Sequence, residues 1–345
     1  MPLPYSIAAF LASSVIALST LYQVYLWQRK EYRIDRLRAE IIQPETLTTS
    51  NWVWIVSFFT VTTILLLRQI GLPSSANNLN IIAYVGLIAQ LGSQIQRGYA
   101  RGIYRPYFTS KAYLVLTLLI FAAVGLMAIF INDQTLIPFQ LFVSTTLLPV
   151  MGVLAIMIAN IITYPGKYRI IMRAKTIRRA YTGKVITVTG SVGKTSTKEF
   201  LHQIIKASGK KVTATKEHRN SELTVAQDVI EQLPKKPSIY IAEAGAYRRG
   251  EIRAIANIVQ PSVAIITAIH NQHAALFGSL ENVAKTKWEL VESLSSDGIA
   301  VLNYDDPVIR KRSRKYTGSV ITYATTDTNA DIHAKAVTYL PDRIA

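Results

Sequence analysis

Two kinds of hydrophobic patterning divide the chain near residue 164. Before it, long uncharged apolar runs dominate, at roughly 5–27 (YSIAAFLASSVIALSTLYQVYLW), 51–70 (NWVWIVSFFTVTTILLLRQI), 112–132 and 138–163. Each is close to the ~20 residues that a helix needs to cross a bilayer. A fifth run, 79–94 (LNIIAYVGLIAQLGSQ), is shorter and carries Gln90. After 164 the apolar stretches shorten and alternate with helical periodicity. VITVT (185–189), KVTAT (211–215), SIYIAEA (238–244), SVAIITA (262–268), GIAVLN (298–303) and SVITYA (319–324) read as strands, and segments near 195–207, 223–233, 250–259 and 280–294 read as helices. Strands alternating with helices at this spacing predict a mainly parallel sheet covered on both faces. Ligands of such sheets bind at the carboxyl ends of the strands.

Charge changes the reading of the first half. The net charge is +17, a value that invites nucleic acid as a partner. Its distribution argues otherwise: residues 1–184 hold 17 Lys and Arg against 5 Asp and Glu, so most of the excess lies among the apolar runs. The basic segments are 28–50, 95–111 and 164–184, whereas 71–78 and 133–137 carry no Lys or Arg. By the positive-inside rule all three basic segments face the cytoplasm, which requires the short run at 79–94 to span as well. Five spans result, with the N-terminus outside and everything after 164 in the cytoplasm. The first run lacks a basic leader and its positive charges follow it, so it reads as an anchor rather than a cleaved signal. Arg29 to Arg38 and Lys167 to Lys184 are expected to set topology and to touch anionic lipid. There is no cysteine, which excludes disulfides and thiolate metal sites.

The strand at 185–189 ends in Gly190-Ser191-Val192-Gly193-Lys194-Thr195-Ser196 and a helix follows. A full-length Walker pattern would need glycine at 188, where Val188 stands. The remaining logic is that of a phosphate cradle. Gly190 and Gly193 let backbone N–H groups approach an anion at a helix N-terminus. Lys194 supplies a cation for the terminal phosphates, and the Thr195 hydroxyl is a ligand for Mg²⁺. Glu243, at the end of SIYIAEA, offers a hard carboxylate oxygen for the same ion. His273, His270 and Lys287 carry no signal by themselves, since a lone histidine is usually structural and a lone helical lysine usually solvated.

Together, TGSVGKTSTKE, ATKEHRNSE, AEAGAYRRGEI, TAIHNQHAALFGSLENVAKTKWE and VLNYDDP resemble the central ATPase domain of the Mur ligase family over about 184–340. The resemblance implies an ATP-dependent amide-forming ligase of peptidoglycan precursor synthesis, in which a carboxylate is activated as an acyl phosphate and an amine displaces the phosphate. It implies ATP and Mg²⁺ as cofactors. Lys194 would contact the transferred phosphate, Thr195 and Glu243 would hold one Mg²⁺ and His273 a second. Lys287 matches the family's carbamylated lysine, and Asn303 its adenine-contacting asparagine, with Asp305 and Asp306 beside it. The chain departs from the family at Thr267-Ala268-Ile269-His270, where T-N-I-G is usual, at Ala275, and at Glu217-His218-Arg219. These departures fall on substrate contacts more than on ATP.

The expected organisation is an α-helical transmembrane bundle followed by an α/β P-loop domain: a membrane domain at 1–163, a basic juxtamembrane linker at 164–183 and an ATP-binding domain at 184–345. Membrane helices stand where soluble members hold their UDP-sugar, and the family's closing C-terminal domain is expected from a longer chain or a separate partner. The expected partners are membrane lipid, a UDP- or lipid-linked cell-wall precursor and an amino acid or dipeptide, with no nucleic acid. The alternatives are a non-catalytic nucleotide-binding membrane subunit and a poly-γ-glutamate-type ligase.

Overall fold

The structure, a computed structural model, describes residues 5–36, 49–69, 75–101, 106–130, 134–270 and 277–335. The chain forms two compact units, Met1–Tyr164 and Pro165–Ala345.

The first unit is helical. Its helices are α1 (Tyr5–Arg29), α2 (Thr49–Gln69), α3 (Ala76–Arg101), α4 (Ser110–Phe130) and the first part of α5 (Ile137–Arg179). Their contacts are close: a Cβ on Gly86 of α3 would lie 2.2 Å from the Phe142 ring of α5. Polar groups are turned inward. Gln90 is fully buried, donates to the Thr146 hydroxyl (2.9 Å) and accepts from that of Thr145 (2.7 Å). Large apolar side chains are turned outward instead, among them Phe10, Phe59, Phe121 and Ile161. Among the described residues, Tyr5–Arg29 and Ile137–Arg179 are long and apolar enough to cross a bilayer, and Trp52–Leu67 and Ser110–Leu126 are shorter apolar stretches.

The second unit is an α/β domain. Seven strands, β1 (Lys184–Thr189), β2 (Val212–Ala214), β3 (Ile239–Glu243), β4 (Val263–Ile266), β5 (Ile299–Asn303), β6 (Ser319–Ala324) and β7 (Ile332–His333), form one sheet in the order β2-β3-β1-β4-β5-β6-β7. Every neighbouring pair is parallel. Among the described residues they are connected by α6 (Lys194–Ala207), α7 (Glu222–Gln232), α8 (Glu251–Val259), α9 (Leu280–Glu292) and α10 (Pro307–Ser313).

Period-2 alternation sorts the strand residues onto two cores. Val188, Ile241 and Ile265 face one side, where Leu201 and Ile205 of α6 cover them. Tyr240, Ala242, Ala264, Ile266 and Leu302 face the other, under Val229 of α7, Ile255 of α8 and Leu290 of α9. Burial on both faces explains why these strands read as nearly continuous apolar runs. Each fully buried isoleucine contributes roughly 1.5–3 kcal/mol.

The segment 164–183, expected as a basic linker, is helical through Arg179. Within the second unit Ile170, Ile171, Ala174 and Ile177 join the main core. Arg178 is not a surface charge: its guanidinium donates to the carbonyls of Val259, Gln260 (2.8 Å) and Tyr181 (3.1 Å), so it closes the C-terminal end of α8.

Candidate functional site

The chain order reverses at β1, which has β3 on one side and β4 on the other. Register places Val188 opposite Glu243, and Thr189 opposite Ile266, so β1, β3 and β4 end at one edge of the sheet. That edge, beside the reversal, is where open α/β sheets bind ligands.

The turn 190–193 is shaped by its neighbours. A Cβ on Gly190 would lie 1.9 Å from the Thr267 hydroxyl. That hydroxyl is itself fixed, donating to Val192 O (2.6 Å) with a longer contact to Thr189 O (3.3 Å). Gly193 has φ +80°, which glycine adopts without strain, and it caps α6. The Ser191 amide donates to Ala268 O (2.7 Å) and its hydroxyl to His270 O (3.0 Å), while His270 N donates back to that hydroxyl (3.0 Å). The loop is therefore bracketed against the exit of β4. The amides of Lys194, Thr195 and Ser196 open α6 and have no intrahelical acceptor, which leaves a positive helix end at the loop. Replacing Gly190 with alanine is expected to displace the loop, lowering stability by about 1–3 kcal/mol and weakening anion binding; thermal unfolding and phosphate titration of the variant read both.

Lys194 Nζ lies against its own loop, donating to Gly190 O (2.8 Å) and Ser191 O (3.2 Å). Burial lowers its pKa, against a smaller upward pull from Glu243. Thr195 Oγ1 donates to Glu243 Oε2 (3.0 Å), so the hydroxyl and the carboxylate meet in front of the loop. Both are hard oxygen donors, the chemistry that Mg²⁺ takes. No group of three or more His, Cys, Asp or Glu side chains exists among the described residues.

Two partners of Glu243 escape a reading by spacing. Asn220 Nδ2 donates to Glu243 Oε1 (3.1 Å), and Lys198 Nζ lies 3.7 Å from Oε2. Asn220 is presented by the loop 215–221, which the fully buried Asp228 of α7 holds down. Its carboxylate accepts from Lys216 N (3.2 Å) and Tyr240 OH (2.8 Å), with Arg219 Nη1 at 3.4 Å. Burial first, and then the neighbouring Asp228, hold the Tyr240 phenol well above its usual range. Removing Asp228 by alanine takes the acceptor from Lys216 N and the buried Tyr240 hydroxyl, while Arg219 keeps Glu231 (2.9 Å), and is expected to cost about 1–3 kcal/mol, the penalty for a buried donor left unpaired; it would show as a lower midpoint of thermal unfolding. Arg219, one of the departures noted in the sequence, is thus part of this brace.

On the β4 side, Lys287 of α9 is buried. Burial, and secondarily the charge of Lys194, lower its pKa to about 7. Asn303 ends β5; its amide donates to Thr267 O (2.8 Å) and its carbonyl accepts from Asp305 N (3.1 Å). Asp306 caps α10 through Val308 N (2.9 Å) and Ile309 N (3.1 Å), and also accepts from Ile269 N (2.7 Å). It therefore holds the β4 exit and α10 together. Burial pushes the Asp305 carboxyl up, but hydrogen bonds from Thr326 and Thr325 outweigh it and hold the group far below the usual range. Val192 and Ser196 are exposed beside the loop. His273 and Ala275 lie outside the described residues.

Residues 188–344 match the Mur ligase middle domain. The UDP-N-acetylmuramoyl-tripeptide--D-alanyl-D-alanine ligase of Synechocystis sp. is 33% identical over 147 residues, which is 42% of this chain and 32% of that one. The Bacillus subtilis enzyme of the same name is 30% identical over 152 residues, 44% of this chain and 32% of its own. The chain thus spans about a third of the length of these curated relatives. Among solved structures, MurF from Acinetobacter baumannii is 27% identical with a TM-score of 0.48, covering 52% of this chain and 39% of that chain. MurF ligase from Thermotoga maritima, in complex with ADP, is 28% identical with a TM-score of 0.48, covering 52% and 40%.

Proposed function

From the match of residues 188–344 to the Mur ligase middle domain, we propose that the chain is the ATP-binding portion of an amide-forming ligase of peptidoglycan precursor synthesis. The observation that carries the proposal is the meeting of Thr195 Oγ1 and Glu243 Oε2 at 3.0 Å, in front of a glycine loop whose lysine lies beside a second buried lysine. Relatives of this sequence join D-alanyl-D-alanine to a UDP-N-acetylmuramoyl tripeptide, as their name states. The reaction class assigned here is the same: a substrate carboxylate takes the γ-phosphoryl group of ATP, and an amine then displaces phosphate to form the amide.

In this reading each residue has a physical task. Gly190 and Gly193 shape the turn, and the amides at the start of α6 face the phosphates. Lys194 leaves the loop carbonyls and follows the charge of the transferred phosphoryl group. Thr195 and Glu243 hold Mg²⁺, which neutralises phosphate charge when bound. Lys287, whose pKa burial lowers to about 7, is able to take up CO₂ as a carbamate, releasing one proton and placing a carboxylate beside the cation site. Asn303 and Asp306 fix the wall on the side of β5, where adenine is assigned.

The helical unit is assigned to the membrane. The support is its inward polar groups, its outward phenylalanines and isoleucines, and the sequence pattern of basic segments at 28–50, 95–111 and 164–184 alternating with segments that lack Lys and Arg. A site held at the bilayer surface suits a lipid-linked acceptor. The test is ATP-dependent phosphate release by the full chain in nanodiscs with UDP-linked or lipid-linked muramoyl peptide and D-alanyl-D-alanine. Release with the lipid-linked acceptor is expected. Release only with the soluble precursor removes the membrane acceptor, and release with neither removes the ligase assignment for this chain on its own.

A further inference from the structure

Lys198 is fully buried in α6, one helical turn after Lys194, and has no place in the chemistry above. Its ammonium donates to Thr215 O (2.9 Å), pairs with Glu199 Oε1 (3.1 Å) and lies 3.7 Å from Glu243 Oε2. A lysine with no exposure is rare unless it is paired. Glu199 is half exposed, whereas Glu243 is buried with it, so the interior partner of this cation is the Glu243 carboxylate. Thr215 joins the two a second time, since its hydroxyl accepts from Glu243 N (3.1 Å) while its carbonyl accepts from Lys198. The carboxylate thus has one oxygen held by Asn220 and the other shared between Thr195 and Lys198.

We propose that Lys198 is a positioning residue that neutralises Glu243 in the nucleotide-free protein, so that the site takes a divalent cation together with the nucleotide and not before it. The inference rests on the assignment of Thr195 and Glu243 to Mg²⁺. A carboxylate already facing a buried ammonium has little net field left to attract a dication. Phosphate oxygens at the loop add the negative charge that Lys198 cancels, and only then is the field attractive. The same ammonium, with Asn220 and Thr195, holds the carboxylate in one orientation.

The test is Mn²⁺ binding followed by electron paramagnetic resonance, using the full chain in nanodiscs with and without a non-hydrolysable ATP analogue. Lys198→Met and Lys198→Gln remove the charge, and the glutamine retains a donor for Thr215 O. Lys198→Arg keeps the charge. In the absence of nucleotide the wild type and Lys198→Arg are expected to bind Mn²⁺ weakly and within twofold of each other. The neutral variants are expected to bind it at least fivefold more tightly. Folded neutral variants with unchanged nucleotide-free Mn²⁺ affinity overturn the proposal. A merely structural lysine would weaken binding when lost, not strengthen it. Should Lys198→Met not fold, Lys198→Gln decides. Failure of the underlying assignment looks different: the wild type would then bind no Mn²⁺ even with the analogue present.

Discussion

Lys194→Ala is expected to lower kcat for ATP-dependent phosphate release by about 10²–10³-fold, with the protein still folded. A preorganised charge aimed at the transferring group is worth roughly that much when removed from a water-poor site. The ammonium donates to the carbonyls of Gly190 and Ser191, and Lys194 belongs to neither core of the second unit. The removed cation also lowers the pKa of Lys287, so the variant carries a second signature. Without Lys194 the Lys287 amine is expected to titrate higher. Steady-state kinetics across pH read both effects. A variant with wild-type kcat would take Lys194 out of the phosphoryl transfer.

Lys287→Ala is the second large effect expected, a fall of about 10–100-fold, the usual cost of losing a group that supports a metal site. Wild-type activity should depend on bicarbonate and the variant's should not. The pH dependence follows from the amine: carbamate forms on the neutral base, so activity is expected to rise from pH 6 to pH 8 through the value near 7. Stability carries the same signature in protein kept free of CO₂. The folded pKa of about 7 is depressed below the ordinary 10.5, so between these values the unfolded chain holds more protons and stability rises with pH. Below pH 7 both states are protonated and the burial penalty is complete. At about 1.4 kcal/mol per pH unit the full excursion is on the order of 4–5 kcal/mol. Thermal unfolding of wild type against Lys287→Met between pH 6.5 and 10 reads it, since the methionine variant lacks this rise.

The sheet was legible because strands buried on both faces must be apolar throughout. SIYIAEA contains β3 at Ile239–Glu243, and SVAIITA contains β4 at Val263–Ile266. β7, only Ile332–His333, is too short to carry a pattern. The helical character of 165–179 was hidden by its charge: seven cationic residues at 164–184 read as a linker, yet Ile170, Ile171, Ala174 and Ile177 recur at helical spacing and Arg178 serves as a cap. At the site, Thr195 and Glu243 could be placed from strand ends alone. Lys198 and Asn220 could not, because their meeting with Glu243 depends on how α6 and the loop after β2 cross the end of β3. Their residue types gave no warning, since a lysine four residues into an exposed helix and an asparagine in a loop are ordinarily solvated. The sequence assigns Asn303 and Asp306 to the nucleotide by resemblance alone, and the bonds the structure shows for them at the β4 exit are to Thr267 O and from Ile269 N.

Nucleotide held with Mg²⁺ by the loop 190–196 and Glu243 is the property on which the proposed function depends. Isothermal titration of the full chain in nanodiscs with ATP, with Mg²⁺ and with excess EDTA, tests it most directly. Saturable one-to-one binding that weakens at least tenfold in EDTA, and that Lys194→Ala weakens without abolishing, is the predicted result. No heat with ATP, or binding indifferent to both Mg²⁺ and Lys194, would contradict it.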